Sequence, residues 1–592
     1  MPGMPVTLED SRRLTGPNLL FRQPGAVLDV KADAVDAERL VAVWERRARE
    51  ILDAVGWTGE RTAVRVHRDG VSLAMSAPVD ALYAATEVNE WALGAVMADL
   101  AGLAPEEASE SGETEAQAAE RLGVLIEAES NPALLRLLDA AAARAVMFLS
   151  DDDRASVGMG AGSRTWPVGE LPDPGDVDWA AIYDVPLVMV TGTNGKTTTV
   201  RLLAAMARAA GRTPGFSSTD GVFVGDELVE GGDYSGPGGA RAVLRDRRVE
   251  AAILETARGG MLRRGLGAPR ADGVVVTNVA ADHLGEYGVH DVEGVADAKL
   301  VVARAVERGG RLVLNADDPV LARRGATGSA SLVWISRRPE GASPVPLERH
   351  LAAGGEAFVV EDGAFVHRRA AAAERLMAVE DAPLTLGGAA GYNVENALAA
   401  LALAPALRVS GPATTDGLRA FRPTADLLPG RTNLFRFGEA TAIVDFAHNP
   451  HGMEALGATV RQLPARRRLV VIGQAGDRDD RSIRALARSA LEMRPDRVVV
   501  KELTRYLRGR EPGEVSGLIR DELRAASPGL DVVVAGDEVD AVRSALEWCA
   551  DGDLLVLPVH ARRDEVVGWL TALERAGWRP GGPLSDAPPS TA

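Results

Sequence analysis

The sequence has 592 residues, of which 46% are hydrophobic and 25% charged, and its formal net charge is −18. This composition is typical of a globular protein with about three or four domains, and its acidic charge argues against a nucleic-acid partner. A single cysteine, Cys549, excludes an internal disulfide framework. No apolar run reaches the roughly 18 residues of a membrane span, and the N-terminus lacks a signal-peptide pattern. We therefore expect a cytoplasmic protein that acts on small molecules.

The first part of the chain, residues 1–159, is predicted to be an α+β domain. A short apolar run, AVLDVKA (26–32), precedes the helical patterns AERLVAVWERRAREILDAVG (37–56) and PALLRLLDAAAARAVMFL (132–149). In both patterns apolar residues recur every three and four positions, as on one face of a helix. Residues 160–185 are rich in Gly, Pro and Asp without periodicity, which predicts a linker.

From residue 186 onward, short β-branched runs alternate with helical runs. This alternation predicts the α/β class, with parallel sheets covered by helices on both faces. We expect a central P-loop α/β domain over 186–427 and a C-terminal Rossmann-like α/β domain over 428–578, followed by a disordered tail over 579–592. Such sheets bind ligands at the carboxyl ends of their strands.

The stretch VMVTGTNGKTTTV (188–200) places a glycine-containing turn between a buried strand and a helix. Glycines let backbone N–H groups turn toward a phosphate, a lysine reaches the terminal phosphates, and a following threonine can ligate Mg²⁺. This is the short GxxGKT form, because Val190 stands where the longer motif has its first glycine. A surface turn is the alternative, but the flanking strand and helix favour nucleotide binding. The predicted ATP contacts are Gly192, Thr193, Asn194, Gly195, Lys196, Thr197 and Thr198.

Two more predicted strands end on polar side chains. The run AAILET ends at Glu255, and GVVVTN ends at Asn278, with Asp282 and His283 close behind. Carboxylates and an imidazole near a triphosphate favour a divalent metal such as Mg²⁺. Taken singly, Glu255 could be a solvated strand end and His283 a histidine satisfied by local hydrogen bonds.

The order of the motifs carries a resemblance to the Mur ligase superfamily. The chain contains, in sequence, TGTNGKTTT, ETARGGMLRRGLG, TNVAADHLG, ADAKLVV, LNADDP, GYNVENALAA, PGRTNLF, VDFAHNPHG and AGDRDDRSI. Within that superfamily, GDYSGPGGA, ARGGMLRRGLG and YLRGREPGE most resemble the Mur-like half of cyanophycin synthetase. The motifs RRLTGPNLL and ASVGMGAGSRTW resemble N-terminal parts of the same enzyme, but its ATP-grasp domain has no counterpart before the P-loop. The N-terminal block could equally be an unrelated α+β module.

The resemblance implies an ATP-dependent amide ligase with the cofactors ATP and Mg²⁺, acting on amino acids or short peptides. In such ligases the γ-phosphate activates a carboxylate as an acyl phosphate, which an amine then attacks. By family position the catalytic residues are Lys196, His283 and Lys299; Thr197 and Glu255 hold one Mg²⁺, and His283 helps to hold a second. Lys299 lies where many Mur ligases have a carbamylated lysine; a solvated helix lysine is the alternative.

The same resemblance assigns residues farther along the chain. Asn393 and Asn396 match asparagines that contact the nucleotide in the family. Tyr392 stands where histidine or phenylalanine is common. Arg431 and Asp445 resemble the residues with which the C-terminal domain contacts ATP. Helix packing is the alternative for the two asparagines. Planar arginine side chains suit substrate carboxylates, although exposed arginines can simply be solvated. The arginines predicted to bind substrate are Arg258, Arg263, Arg478, Arg508 and Arg510.

Three functions therefore compete at this point: an amide ligase, another P-loop phosphotransferase, and a non-catalytic ATP-binding partner of a larger synthetase. The ligase is favoured because Glu255, His283 and Lys299 are all present. A homo-oligomer is compatible with the sequence. With a single P-loop, we expect one kind of amide bond rather than an alternating polymer.

Overall fold

The computed structural model describes residues 6–102, 113–325, 331–338 and 347–586. The chain divides into two compact units, one of residues 1–334 with 401–414 and one of residues 335–400 with 415–592. Among the described residues, no helix combines the length and apolar character that crossing a bilayer would need.

The first unit begins with an α+β module, as predicted. Its antiparallel sheet has the strand order β1-β2-β4-β3, with β1 at Thr7–Leu14, β2 at Gly25–Lys31, β3 at Thr62–His67 and β4 at Gly70–Ser76. Apolar side chains of the sheet and of three helices form one buried core that includes Trp44. The module's helices span Ala34–Ala54, Leu82–Ala101, Glu115–Glu129 and Pro132–Ala143.

The predicted linker at 160–185 is more ordered than its composition suggests. Strand β7 (Arg164–Pro167) joins β5 (Phe148–Ser150) and β6 (Arg154–Val157) in an antiparallel sheet. Gly160 and Gly162 lie so close to other backbone that an added Cβ would stand 2.4 Å and 2.2 Å from the nearest carbonyl oxygens. These glycines therefore permit close packing; they do not mark a flexible connection. Single turns of 3₁₀ helix span Gly160–Gly162, Val168–Glu170, Pro174–Asp176 and Trp179–Ala181.

The central sheet of the first unit is mainly parallel and contains the strand that precedes the P-loop. Its order is β11-β10-β9-β12-β8-β13-β14, in which β9, β12, β8, β13 and β14 run parallel and β10 and β11 form an antiparallel edge. The strands are β8 (Leu187–Thr191), β9 (Pro214–Ser218), β10 (Gly221–Val224), β11 (Glu227–Gly231), β12 (Ala251–Glu255), β13 (Ala271–Val276) and β14 (Val306–Asn315). The helices of this region span Lys196–Ala209, Pro237–Arg245, Arg258–Arg264, Val292–Leu300 and Pro319–Arg324.

The chain passes between the two units within β15 (Ser331–Ser336) and within the helices Gly391–Leu403 and Pro412–Ala420. The second unit starts with the short helix Leu347–Ala352. An antiparallel meander follows, made of β16 (Glu356–Glu361), β17 (Ala364–Arg369) and β18 (Ala372–Ala378).

The second unit ends in the predicted Rossmann-like α/β sheet. Its order is β19-β20-β24-β21-β22-β23, with only β19 antiparallel. The strands are β19 (Asn433–Phe437), β20 (Ala440–Asp445), β21 (Arg468–Ile472), β22 (Arg497–Lys501), β23 (Asp531–Ala535) and β24 (Leu554–Pro558). Helices cover it over Pro450–Val460, Asp480–Leu491, Glu514–Ala526, Glu538–Trp548 and Arg563–Arg575.

The predicted disordered tail starts at residue 579, but its first residues have defined contacts. Trp578 donates from Nε1 to the Gly582 carbonyl at 3.3 Å, and Leu584 packs against the core of the C-terminal sheet. The packing of Trp578 and Leu584 therefore extends the fold to residue 584. Residues 587–592 lie outside the described residues.

Candidate active site

The P-loop connects β8 to the helix Lys196–Ala209, and two glycines give it its shape. Gly192 has φ +146° and Gly195 has φ +85°, a region that side chains disfavour. A Cβ on Gly192 would stand 1.8 Å from Thr277 Oγ1, so only glycine fits there. The first helical amide that bonds back along the chain is Thr199 N, which donates to the Gly195 carbonyl at 3.0 Å. The amides before it form a helix N-terminus suited to an anion.

Asn278, at the end of the neighbouring strand β13, holds the P-loop in place. Its Oδ1 accepts from Asn194 N at 2.9 Å, its Nδ2 donates to the Asn194 carbonyl at 3.1 Å, and its own carbonyl accepts from Thr193 N at 2.9 Å. The amides of Thr193 and Asn194 are thus used to shape the loop. Contacts of these residues with ATP remain a prediction.

Lys196 lies over the loop that precedes it. Its Nζ donates to the carbonyls of Gly192 at 3.1 Å and Thr193 at 3.0 Å. The ammonium group is therefore held at the mouth of the loop, beside the helix N-terminus. This is a position from which a lysine can neutralise phosphate oxygens.

Thr197 and Glu255 meet beneath the P-loop. Thr197 Oγ1 donates to Glu255 Oε2 at 2.8 Å and lies 3.3 Å from Thr219 Oγ1. Glu255, at the end of β12, is only 2% exposed, so it is not a solvated strand end. Hard oxygen donors of this kind fit Mg²⁺. Nowhere in the described ranges do three His, Cys, Asp or Glu side chains converge to hold a metal, so a metal here would need oxygen ligands from a bound phosphate.

His283 lies in a separate loop and is linked there to a buried arginine. His283 Nδ1 stands 3.4 Å from Glu286 Oε1, and Glu286 Oε2 accepts from Arg258 Nη2 at 2.6 Å. Arg258 was predicted to bind substrate, but it is only 7% exposed and this ion pair engages it. Its contact with Glu286 links it to the loop of His283, and substrate binding by Arg258 remains a prediction.

Lys299 is buried, with 4% of its surface exposed, in the helix Val292–Leu300. This excludes the solvated-lysine alternative. Burial, reinforced by the positive charges of Lys196 and Arg258, holds the pKa of Lys299 well below its usual range, and Asp282 opposes this only in part. The direction of this shift favours the unprotonated amine, which is the form that reacts with CO₂.

In the second unit, Asp445 is a half-buried hydrogen-bond acceptor at the end of β20. Its Oδ2 accepts from Thr432 N at 3.0 Å and lies 3.3 Å from Tyr392 Oη, while Oδ1 accepts from Ala447 N at 3.1 Å. Burial raises the pKa of Asp445, and the bonds from Thr432 and Tyr392 and the charge of Arg431 oppose the rise. Thr432 adopts φ +56°, so Asp445 also fixes the backbone beside Arg431.

Two family models match the chain. The Mur ligase middle domain matches residues 190–404, and the glutamate ligase domain of Mur ligases matches residues 430–558. Together these matches cover more than half of the sequence, and they include the P-loop, Glu255, Lys299 and Asp445. This chain belongs to the Mur ligase family.

Individual relatives agree with this assignment. A cyanophycin synthetase of Trichormus variabilis is 40% identical over 380 residues, which is 64% of this chain and 42% of the relative. The chain therefore spans less than half the length of that relative. A UDP-N-acetylmuramoyl-L-alanyl-D-glutamate–2,6-diaminopimelate ligase of Geobacillus kaustophilus is 28% identical over 63% of this chain and 73% of its own. Among solved structures, E. coli FolC in complex with ADP has 22% identity and a TM-score of 0.45, covering 66% of this chain and 90% of that one.

The two asparagines assigned to the nucleotide by Mur ligase resemblance are both buried in the second unit. Asn393 Nδ2 donates to the Leu384 carbonyl at 3.0 Å and to Thr432 Oγ1 at 3.1 Å, and Asn396 Nδ2 donates to Asn393 Oδ1 at 3.1 Å. The Asn393 amide thus shares the Thr432 hydroxyl with Tyr392 and Asp445. A nucleotide role for the asparagines remains a prediction.

Among the remaining predicted substrate arginines, Arg510 is engaged within its own domain, whereas Arg508 and Arg263 are exposed. Arg510 donates to the carbonyls of Gly476 at 3.1 Å and Arg478 at 2.8 Å and pairs with Asp480 and Glu514. It therefore holds the 476–478 loop of this Mur ligase domain. Arg508 is exposed with φ +50°, and Arg263 is also exposed, so both have the accessibility that substrate binding needs.

Sequence reasoning missed a buried charged cluster at the carboxyl ends of β22 and β24. Lys501 Nζ pairs with Glu538 Oε1, donates to the Pro558 carbonyl at 2.5 Å, and lies 3.3 Å from His560 Nδ1. Burial lowers the pKa of both Lys501 and His560. The run RVVVK ends in a charged residue, Lys501. The partners of Lys501 are Glu538 and His560, which lie 37 and 59 residues farther along the chain, and no local sequence pattern connects them.

Proposed function

We propose that this chain is an ATP-dependent amide ligase that joins the carboxylate of an amino acid or short peptide to an amine. The observation that carries the proposal is the P-loop with Lys196 at its mouth and the Thr197–Glu255 pair beneath it. The domain matches and the names of the relatives, which are a synthetase and an amino-acid ligase, support it.

The proposed reaction has two steps and needs no covalent enzyme intermediate. A carboxylate oxygen of the substrate attacks the γ-phosphorus, the bond from that phosphorus to the β–γ bridging oxygen breaks, and ADP leaves. The amine nitrogen then attacks the acyl carbon, the acyl carbon–oxygen bond breaks, phosphate leaves, and the nitrogen loses a proton to solvent. Positioning and charge neutralisation are the main tasks of the protein in such chemistry.

The chain's own residues fit those tasks. The Lys196 ammonium and the amides at the helix N-terminus would stabilise the negative charge that gathers on the transferred phosphoryl group. Thr197 and Glu255 would hold Mg²⁺, which neutralises phosphate charge when bound. The Lys299 amine, in its unprotonated form, would react with CO₂ to give a carbamate, and His283 would lie near a second metal. In the second unit, Asp445, Arg431, Asn393 and Asn396 would contact the nucleotide.

We further propose that one amine and one carboxylate are joined, because the sequence has one P-loop. The substrate class is an aspartate-, glutamate- or arginine-like amino acid or a short peptide. The burial of Glu255 and Lys299 favours an enzyme over a non-catalytic nucleotide-binding partner, since a binding partner has no need to bury a carboxylate and an amine beside its P-loop. A phosphotransferase would transfer phosphate to a stable product and would not consume an amine.

The test is ADP release in the presence of ATP, Mg²⁺ and paired pools of amino acids and dipeptides, followed by mass spectrometry of the products. The proposal predicts ADP release that requires both an amine and a carboxylate, with a product lighter than the sum of its substrates by one water. ADP release with a phosphorylated end product would favour the phosphotransferase. An alternating aspartate–arginine polymer made by this chain alone would contradict the single bond.

A further inference from the structure

The loop that carries His283 has an unusual backbone. His283, Gly285, Tyr287 and Gly288 have φ values of +51°, +97°, +52° and +66°. For residues other than glycine this region is uncommon, and it persists when surrounding contacts enforce it. The contacts that enforce it here come largely from the N-terminal α+β module.

Arg65, in strand β3 of that module, binds the loop directly. Its Nη1 donates to the Tyr287 carbonyl at 3.0 Å and its Nη2 to the Gly288 carbonyl at 2.7 Å. One planar guanidinium thus holds two successive carbonyls, both of which belong to residues with positive φ. Two parallel hydrogen bonds from one guanidinium fix the orientation of the two carbonyl groups as well as their distance from Arg65.

Three further contacts from the module surround the same residues. The His67 ring lies so close to Gly288 that a Cβ there would stand 2.5 Å from it. The Arg12 guanidinium lies 4.7 Å from the centre of the Tyr287 ring, and Arg12 is held in turn by Asp29 at 2.5 Å. At the end of the loop, His290 Nε2 lies 3.2 Å from Asp69 Oδ2.

The opposite side of the loop faces the candidate active site. Glu286, one residue before Tyr287, is the partner of both His283 and the buried Arg258. A change in the backbone at 287–288 would move the Glu286 carboxylate and so disturb Arg258 and His283 together. The chain of contacts from Arg65 to Arg258 lies wholly within the first unit.

We infer that the N-terminal module sets the conformation of the 283–290 loop and that Arg65 is the positioning residue. The module is therefore part of the machinery that prepares the nucleotide site. The catalytic consequence of this inference rests on the proposed function, whereas the structural claim about the loop does not.

The structural claim is tested by hydrogen exchange in the full chain carrying Arg65→Met. The Gly285 amide bonds to the Val289 carbonyl at 2.8 Å, and the Val289 amide to the Glu286 carbonyl at 3.1 Å, so both report on the loop. Arg304→Met is a matched control, because Arg304 also holds two module carbonyls, those of Asn18 at 2.6 Å and Leu19 at 3.1 Å. Neither Arg304 nor the two carbonyls that it binds belong to the 283–290 loop.

We expect Arg65→Met to speed exchange at these two amides by about tenfold or more, since it removes two charged hydrogen bonds, and Arg304→Met to leave them unchanged. Arg65→Lys should restore part of the protection. Unchanged exchange in Arg65→Met would overturn the inference. Equal acceleration by both variants would also overturn it, because that result means only that the module has loosened.

Kinetics tests the consequence for the site. Arg65→Met should raise the apparent KM for MgATP several-fold while Arg304→Met leaves it at the wild-type value, and equal KM values in all three proteins would refute a role in the nucleotide site. If the wild type itself releases no ADP with any substrate pool, the proposed function fails, and the exchange comparison still decides whether Arg65 positions the loop.

Discussion

The hydroxyl of Thr197 donates a hydrogen bond to Glu255 Oε2 at 2.8 Å. This contact joins the first turn of the helix after the P-loop to the carboxyl end of β12, the strand that pairs with β8. It brings a hydroxyl and a carboxylate together within a parallel sheet at the edge where such sheets bind ligands. The proposed Mg²⁺ site beside a bound triphosphate is built on this pair.

Replacing Glu255 by Gln should weaken Mg²⁺ binding. Glutamine keeps an oxygen that can accept from Thr197 but removes the negative charge, so we expect the Mg²⁺ concentration for half-maximal ADP release to rise about tenfold or more. Glu250→Gln is the control, because Glu250 precedes the same strand and accepts from Thr213 N at 2.8 Å at the exposed end. An unchanged Mg²⁺ requirement in Glu255→Gln would remove Glu255 from the site.

Replacing Lys196 by Ala should abolish turnover without unfolding the protein. The ammonium is placed to neutralise phosphate charge, and loss of one preorganised electrostatic contact typically lowers the rate about 100-fold or more. Steady-state ADP release and a thermal unfolding curve measure the two effects. Lys31→Ala, at the exposed end of an otherwise buried strand of the N-terminal module, should leave both unchanged. Near-wild-type activity of Lys196→Ala would mean that the P-loop assignment is wrong.

Lys299 should carry a carbamate in the active protein. Burial holds its pKa well below the usual range, which favours the unprotonated amine that reacts with CO₂. We expect a new carbamate carbon signal in NMR spectra after incubation with ¹³C-bicarbonate, and its absence in Lys299→Ala. Short carboxylic acids should partly rescue the activity of Lys299→Ala. Full activity of that variant without rescue would contradict the prediction.

The buried pair of Lys501 and Glu538 should behave differently from a surface pair. Removing one partner of a buried ion pair leaves an uncompensated charge and typically destabilises by about 3–5 kcal/mol, so we expect Lys501→Met to have an effect of that size. The double variant Lys501→Met, Glu538→Gln should recover much of the loss. Arg497→Met, which breaks an exposed pair with Asp531 at the start of the same strand, should change stability by about 1 kcal/mol or less.

Hydrogen exchange of amides in β22 and β24 measures these stabilities locally. Such a measurement is needed because the chain has two units and its global unfolding need not be a single transition. If Lys501→Met were no more destabilising than Arg497→Met, the cluster would not stabilise this edge of the sheet.

Much of the fold and the nucleotide site could be predicted because their signals are local. The P-loop lies in nine consecutive residues, and the alternation of β-branched and helical runs is characteristic of parallel sheets. The composition of residues 160–185 predicts a linker, whereas the structure has a strand and short helical turns there. Glycine is common both in flexible segments and where two backbone segments pack closely, so composition alone does not separate the two cases. Only the contacts of Gly160 and Gly162 distinguish the two.

Burial and distant partners could not be predicted in the same way. Sequence spacing could not exclude that Lys299 is a solvated lysine, which its burial now does. It also could not show that Arg258 pairs with Glu286 or that Arg510 binds the Gly476 carbonyl. The two hydrogen bonds from Arg65 to the 283–290 loop join residues more than 200 positions apart in the sequence. Such contacts depend on the packing of separate elements, which has no local pattern.

The central claim is that the γ-phosphate activates a carboxylate, and isotope transfer tests it most directly. The protein would be incubated with ATP, Mg²⁺, an amine pool and amino acids labelled with ¹⁸O in their carboxylates, and the released phosphate would be analysed by mass spectrometry. The account predicts one ¹⁸O atom in each phosphate, because the carboxylate oxygen that attacks phosphorus leaves with it. Phosphate released without ¹⁸O, while ADP and an amide product form, would contradict the acyl-phosphate mechanism.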